Sequence, residues 1–145
     1  MKAFTMEVWI LSISTKPLWP NGMSHWDLHQ KHMIYWDRTH TTVRPLYLAF
    51  RVNGKVDGIY RVSRIEHGVP MIDLMPELKN TKSERPKLPF TVWHFEPKVS
   101  LPNPIPTGPG MYNRRVRCDL DLLLSCKSVQ EIEHAMGKRR HQPET

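Results

Sequence analysis

The sequence predicts an α+β protein in which a small mixed β-barrel is flanked by short helices. Two strand-like runs rich in valine, isoleucine, tyrosine and phenylalanine fill residues 43–66 and flank Asn53-Gly54. Asn-Gly between such runs predicts a β-hairpin, because a type I′ turn needs a positive φ at both central residues. Neither face of the two runs is uniformly apolar, as expected for strands of a small barrel or a strongly curved sheet. The 13 prolines in 145 residues favour short strands and loops over long helices.

The segment before the hairpin contains a predicted strand and a predicted short helix. Residues 6–14 are apolar on both sides, a pattern that indicates a central strand. Ser24 is placed to cap a helix that has Asp27 in its first turn. Residues 24–36 therefore predict a short helix followed by an extended segment.

The segment after the hairpin is predicted to be mostly irregular. Residues 67–89 contain four prolines, which predicts a long loop with little regular structure. Residues 90–96 alternate in the manner of a strand, whereas residues 101–110 predict an irregular, partly polyproline connection. Residues 111–119 predict a further strand that carries several arginines.

The C-terminal part of the chain predicts one clear helix. Ser128 and Glu131 have the spacing of a capping box, and Gly137 is expected to end the helix that follows. A basic, polar tail over residues 138–145 is predicted to be disordered. The whole chain is therefore interpreted as a single domain over residues 1–137 followed by this tail.

Charge and cysteine content limit the partners and the compartment. A formal net charge of +7 favours an anionic partner, nucleic acid before a membrane surface. The two cysteines, Cys118 and Cys126, are too few for a disulfide scaffold and lack the spacing of a metal site. Glu7 interrupts the N-terminal apolar run, whereas the apolar core of a signal peptide would be uninterrupted. No apolar stretch is long enough to span a membrane. We expect a cytoplasmic protein without a membrane partner.

The order of these elements resembles the PUA-like superfamily, the small pseudo-barrels that include the PUA, ASCH, YTH and EVE domains. The resemblance covers roughly residues 6–135 and is carried by the segments PLYLAFRVNGKVDGIYRVSRIE, LPNPIP and DLLLSCKSVQEI. Within the superfamily the chain is most similar to the EVE-like modules, in the patterns of residues 47–50 and 59–62 on neighbouring strands. It lacks the Gly-x-Lys-x-x-Glu-x-Arg motif of the ASCH branch. The resemblance implies non-catalytic binding of RNA or DNA, often through a modified, flipped or unpaired base.

An aromatic pocket and a basic groove would provide such binding. Aromatic rings stack on unpaired bases, with about 1–3 kcal/mol per base, and arginines neutralise phosphates. Each tryptophan has the alternative role of core packing, and the arginine row has the alternative role of a charged, solvated edge strand. The predicted nucleic-acid contacts are Trp36, Tyr47, Trp93, Arg44, Arg114, Arg115 and Arg117.

Two other functions stay open at this stage, although a binding protein is favoured over an enzyme. His25, His29 and His32 would share one helical face with the spacing of a metal site, but no acidic or cysteine ligand completes it. A metal- or histidine-dependent nuclease or phosphoesterase acting on nucleotides would use these histidines or acidic side chains such as those of Asp57, Asp73 and Glu77. A protein-binding inhibitor from a mobile element is the third hypothesis. No catalytic residue, metal or cofactor is predicted.

Overall fold

The computed structural model describes residues 7–17, 22–37, 44–78, 87–107 and 116–141. Over these residues it contains seven strands, four α-helices and a short 3-10 turn, which confirms the α+β class. The elements are β1 (Val8–Ser12), α1 (His25–His32), β2 (Ile34–Asp37), β3 (Tyr47–Val52), β4 (Lys55–Pro70), α2 (Met71–Leu74), the 3-10 turn (Pro76–Leu78), β5 (Pro89–Phe95), β6 (Val99–Pro106), β7 (Val116–Cys118), α3 (Leu120–Ser125) and α4 (Val129–His141).

Hydrogen bonds connect the strands in the order β2-β5-β4-β3-β1-β7, and β6 pairs with β4. The chain divides into two compact units. The first unit comprises the described residues of Met1–Ser12, Pro45–Tyr60 and Lys98–Thr145, and the second those of Ile13–Arg44 and Arg61–Pro97. The long strand β4 contributes its first part to the first unit and the remainder to the second. Across the described residues, no helix has both the length and the apolar character needed to cross a bilayer.

The predicted hairpin is confirmed as β3 and β4. Asn53 and Gly54 form its turn with φ values of 53° and 80°, the left-handed conformation that a type I′ turn requires at both positions. The strands begin and end on either side of this pair, at Val52 and Lys55. The turn therefore fixes the register of the hairpin locally.

The first unit is built around β1, which lies between two partners. It pairs in parallel with β3 and antiparallel with β7. Alternate residues of β1, Val8 and Ile10, face a core that α3 and α4 cover, because both helices contribute buried side chains to it. The buried members of this core are Val8, Ile10, Ala49, Val56, Ile59, Ile105, Val116, Cys118, Leu123, Val129, Ile132 and Met136.

The second unit has its own core, formed between its strands and the helices α1 and α2. Ser24 accepts a hydrogen bond from the backbone N–H of Asp27 at 3.1 Å, and the Asp27 carboxylate accepts one from the N–H of Ser24 at 2.8 Å. This capping box starts α1 as predicted. Met33, with φ at 54°, ends the helix and turns the chain into β2. The buried residues of this core are Leu28, Ile34, Met71, Met75, Leu78, Phe90 and Val92.

Two segments predicted to be irregular contain strands and helical turns. The loop predicted from residue 67 starts later, because β4 continues to Pro70 and is followed by α2 and the 3-10 turn. The segment predicted to be polyproline-like is largely β6, which pairs with the start of β4. Proline is compatible with an edge strand, because its missing N–H can lie on the side away from the ladder.

The C-terminal helix starts as predicted but is longer. The Ser128 hydroxyl accepts a hydrogen bond from the N–H of Glu131 at 3.1 Å, while the Glu131 carboxylate accepts one from the N–H of Lys127 at 3.2 Å. The predicted end at Gly137 is wrong, because α4 runs to His141. A glycine inside a helix costs about 1 kcal/mol relative to alanine, and the basic residues after it are good helix formers. Part of the predicted disordered tail is therefore helical, and residues 142–145 lie outside the described chain.

Candidate nucleic-acid interface

The predicted nucleic-acid contacts fall in both units. Trp36 on β2, Trp93 on β5 and the exposed Arg44 belong to the second unit, whereas Tyr47 on β3 and Arg117 on β7 belong to the first. Arg114 and Arg115 lie outside the described residues. Because the candidates are divided in this way, each unit has to be assessed by itself.

Trp36 is the candidate whose surroundings fit a stacking role best. Its side chain is half-buried and borders the core of the second unit. The imidazole of His29 lies against the indole with ring centroids 4.2 Å apart, and His25 lies at 5.8 Å. The indole therefore contacts the ring of His29 and stays partly accessible to solvent.

His29 is the support that holds this arrangement. Its ring is 2% exposed, and its Nδ1–H donates a hydrogen bond to the carbonyl of Ile34 at 2.7 Å. Burial lowers the pKa of His29 to about 3, the bond to Ile34 acts in the opposite direction, and the nearby charge of His25 lowers it slightly further. His29 is thus neutral at physiological pH and fixed to the strand that carries Trp36.

The same aromatic cluster continues to Tyr35 and Trp93. Tyr35 lies 5.5 Å from His29 and 5.4 Å from Trp93 between ring centroids, and its hydroxyl donates to the Asp37 carboxylate at 3.2 Å. Tyr35 is half-buried, whereas Trp93 is 1% exposed. Trp93 therefore packs in the interior here, and a base would reach it only after it had been uncovered.

Tyr47 and Arg117 lie on opposite faces of the sheet in the first unit. Val8 pairs with Tyr47 and Cys118, and the next residue, Trp9, pairs with Arg117. Neighbouring residues of a strand face opposite sides, so the two rows cannot line one surface of this sheet. Tyr47 packs against the core beside α3 and α4. The Arg117 guanidinium lies 5.0 Å from the ring of Trp9, a cation–π contact.

A group of charged side chains on β4 and β5 was missed by the sequence analysis. The Glu66 carboxylate accepts a hydrogen bond from His94 Nε2 and forms an ion pair with Arg64, whose Nη2 lies 3.3 Å away. Arg61 lies on the same strand and is exposed. The signal in the sequence was the charged residues Arg61, Arg64 and Glu66 in the second hairpin strand.

The residues of the alternative nuclease hypothesis do not assemble a metal site over the described chain. No group of three or more histidine, cysteine, aspartate or glutamate side chains there could hold an ion. The carboxylate of Asp57 accepts a hydrogen bond from Lys98 at 3.3 Å, and Asp73 is exposed on α2. The Glu77 side chain lies outside the described residues.

Comparison with known proteins yields structural neighbours but no sequence relatives. No family model and no curated protein matches the chain. The crystal structure of an ASCH protein from Zymomonas mobilis matches with a TM-score of 0.51 and 9% identity, over 80% of this chain and 90% of that one. A serine-to-alanine mutant of the same protein matches with a TM-score of 0.50 and 9% identity, over 92% of this chain and 99% of that one.

These neighbours show a fold of the kind that the resemblance predicted. The neighbours are ASCH proteins, although the missing motif had argued against that branch. They do not support the predicted similarity to EVE-like modules. At 9% identity the likeness shows the fold and carries over no site residue. The chain thus has a fold similar to that of the ASCH protein from Zymomonas mobilis.

Proposed function

We propose that this protein is a non-catalytic nucleic-acid-binding domain that stacks an unpaired or modified base on Trp36. The observation that carries the proposal is the partly buried indole of Trp36, which packs against a buried, neutral histidine with ring centroids 4.2 Å apart. The ASCH-like fold and the net charge of +7 support it at a coarser level.

The chemistry of the platform fits a base better than a charged ligand. Every base has a π-face, and stacking on an aromatic side chain contributes about 1–3 kcal/mol per base. Because His29 packs against the indole and is hydrogen-bonded to Ile34, little conformational freedom is lost when a ligand binds. The imidazole of His29, which packs against the indole, is neutral and places no positive charge under a stacked base.

Cationic side chains would supply the salt-dependent part of the affinity. Arg44, which is exposed and belongs to the same unit as Trp36, is proposed as a phosphate contact. Arg114, Arg115 and Arg117 stay proposals of the same kind. Cys118 and Cys126 carry free thiols, which supports our expectation that the protein works in the reducing cytoplasm.

The test is a titration of single-stranded oligonucleotides, plain and base-modified, against the wild type, Trp36→Ala and Trp36→Phe. We expect Trp36→Ala to weaken binding about tenfold, within the 1–3 kcal/mol of one stacked base, and Trp36→Phe to retain most of the affinity. Trp26→Phe, on the half-buried α1 residue of the same unit, is the matched control. Unchanged affinity of a folded Trp36→Ala variant would remove Trp36 from the interface.

A further inference from the structure

A β-bulge interrupts the pairing of β4 with β5 beside the charged group. Val62 pairs with Phe95 and Arg64 pairs with His94, so β4 advances by two residues where β5 advances by one. Ser63 is the extra residue, and its hydroxyl donates a hydrogen bond to the carbonyl of His94 at 3.2 Å. The bulge is therefore held by a specific side chain.

The bulge decides where the arginines of β4 lie. Residues three apart in a regular strand face opposite sides of the sheet, because side chains alternate. Because Ser63 has no paired residue on β5, Arg61 and Arg64 occupy successive positions of the same face, and His94 lies on that face too. Pairing continues past the bulge, since the N–H of Glu96 donates to the carbonyl of Arg61 at 2.9 Å. Two successive positions of one face are about 7 Å apart along a strand.

The two arginines differ in how they are held. Arg64 forms an ion pair with Glu66, and Glu66 also accepts a hydrogen bond from His94. These contacts orient the guanidinium of Arg64 and leave several of its five N–H donors available. Arg61 is exposed and makes no ion pair with a described residue. The carboxylates of Glu66 and Glu96 balance the formal charge of the two arginines, so a ligand has to be recognised through the N–H donors of the guanidinium groups.

We propose that Arg61 and Arg64 bind two neighbouring phosphates of one nucleic-acid strand, so that its backbone follows β4 beyond the hairpin. The inference rests on the proposed function and adds the position of the backbone. Arginine presents planar donors that match phosphate oxygens, and bulges next to binding sites commonly re-aim a side chain. From Val62 to Pro70, β4 pairs with β5, which fixes the position of Arg64 on the strand.

The experiment measures the salt dependence of binding to a single-stranded RNA and a single-stranded DNA oligonucleotide. Wild type, Arg61→Ala, Arg64→Ala and the double variant are compared with Lys55→Ala, which removes an exposed charge beside the hairpin turn of the first unit. Each phosphate contact on a single strand contributes about 0.7 to the slope of log K against log salt. We expect each single variant to make the slope about 0.7 less steep and the double variant about 1.4 less steep. Lys55→Ala should leave the slope unchanged.

An insertion of one alanine between Arg61 and Val62 separates position from charge. With the pairing of Val62 to Phe95 kept, the insertion moves Arg61 to the opposite face at constant net charge, and we expect the slope to fall as in Arg61→Ala. Circular dichroism checks that the insertion variant is folded, and the exposed arginine variants decide the question if it is not. A slope that is unchanged in the double variant, or reduced equally by Lys55→Ala, would overturn the inference while the role of Trp36 stands. Wild-type protein that binds neither oligonucleotide at low salt would overturn both.

Discussion

Replacing His29 by asparagine should make the stability of the protein less dependent on pH. The ordinary pKa of histidine, 6.5, falls to about 3 in the folded protein because the ring is buried. Between these values the unfolded chain binds a proton that the folded protein does not. The free energy of unfolding is therefore fully retained above pH 6.5 and decreases as the pH falls towards 3.

The size of the effect follows from the linkage relation. Each pH unit well inside this window lowers the free energy of unfolding by about 1.4 kcal/mol. Between pH 7 and pH 5 the contribution of His29 amounts to about 2 kcal/mol, and near pH 3 it approaches about 5 kcal/mol. Asparagine does not titrate, and its amide nitrogen can replace Nδ1 as the donor to Ile34.

The assay is urea denaturation of wild type and His29→Asn at pH 7 and pH 5. We expect the loss of stability between the two pH values to be smaller by about 2 kcal/mol in the variant. His134→Asn, at an exposed position on α4, is the control and should lose as much as the wild type. An equal loss in His29→Asn and wild type would show that His29 takes up its proton without unfolding and would refute the argument.

Two further substitutions test the packing of the first unit. Gly58→Ala should lower the free energy of unfolding by about 1–3 kcal/mol, measured by urea denaturation, because a Cβ there would lie 2.5 Å from Lys98 Cγ and 2.9 Å from a backbone oxygen; a neutral effect would mean that β6 can move away. Ile132→Ala should cost about 2–5 kcal/mol, since this side chain is fully buried in the core under α4. Leu124→Ala, at an exposed position on α3, should change stability by less than about 0.5 kcal/mol, and equal losses in both variants would contradict the described packing.

The elements that the sequence predicted well are those with a local cause. The hairpin turn depends on two adjacent residues with positive φ, and the capping boxes at Ser24 and Ser128 depend on residues three apart. Each of these signals acts within a few residues, so no knowledge of distant partners was needed. The extension of α4 past Gly137 shows the limit, since a single unfavourable residue does not end a helix whose other residues favour it.

The candidate site was predicted less completely because it depends on pairing between distant segments. Sequence alternation alone could not show that Tyr47 and Arg117 face opposite sides of one sheet. It also placed Arg61 and Arg64 on opposite faces, because the bulge at Ser63 is visible only in the register against β5. Trp36 was recognised as a stacking candidate, but its support by His29 requires α1 to pack beside β2.

The most direct test of the central claim follows the indole N–H resonances of the five tryptophans by NMR during titration with a single-stranded oligonucleotide. Single replacements by phenylalanine assign each resonance. We predict that the Trp36 signal shifts in proportion to bound oligonucleotide, while the signals of the buried Trp9 and Trp93 move little. Saturable binding that leaves the Trp36 resonance in place, or that moves the buried resonances instead, would contradict the account.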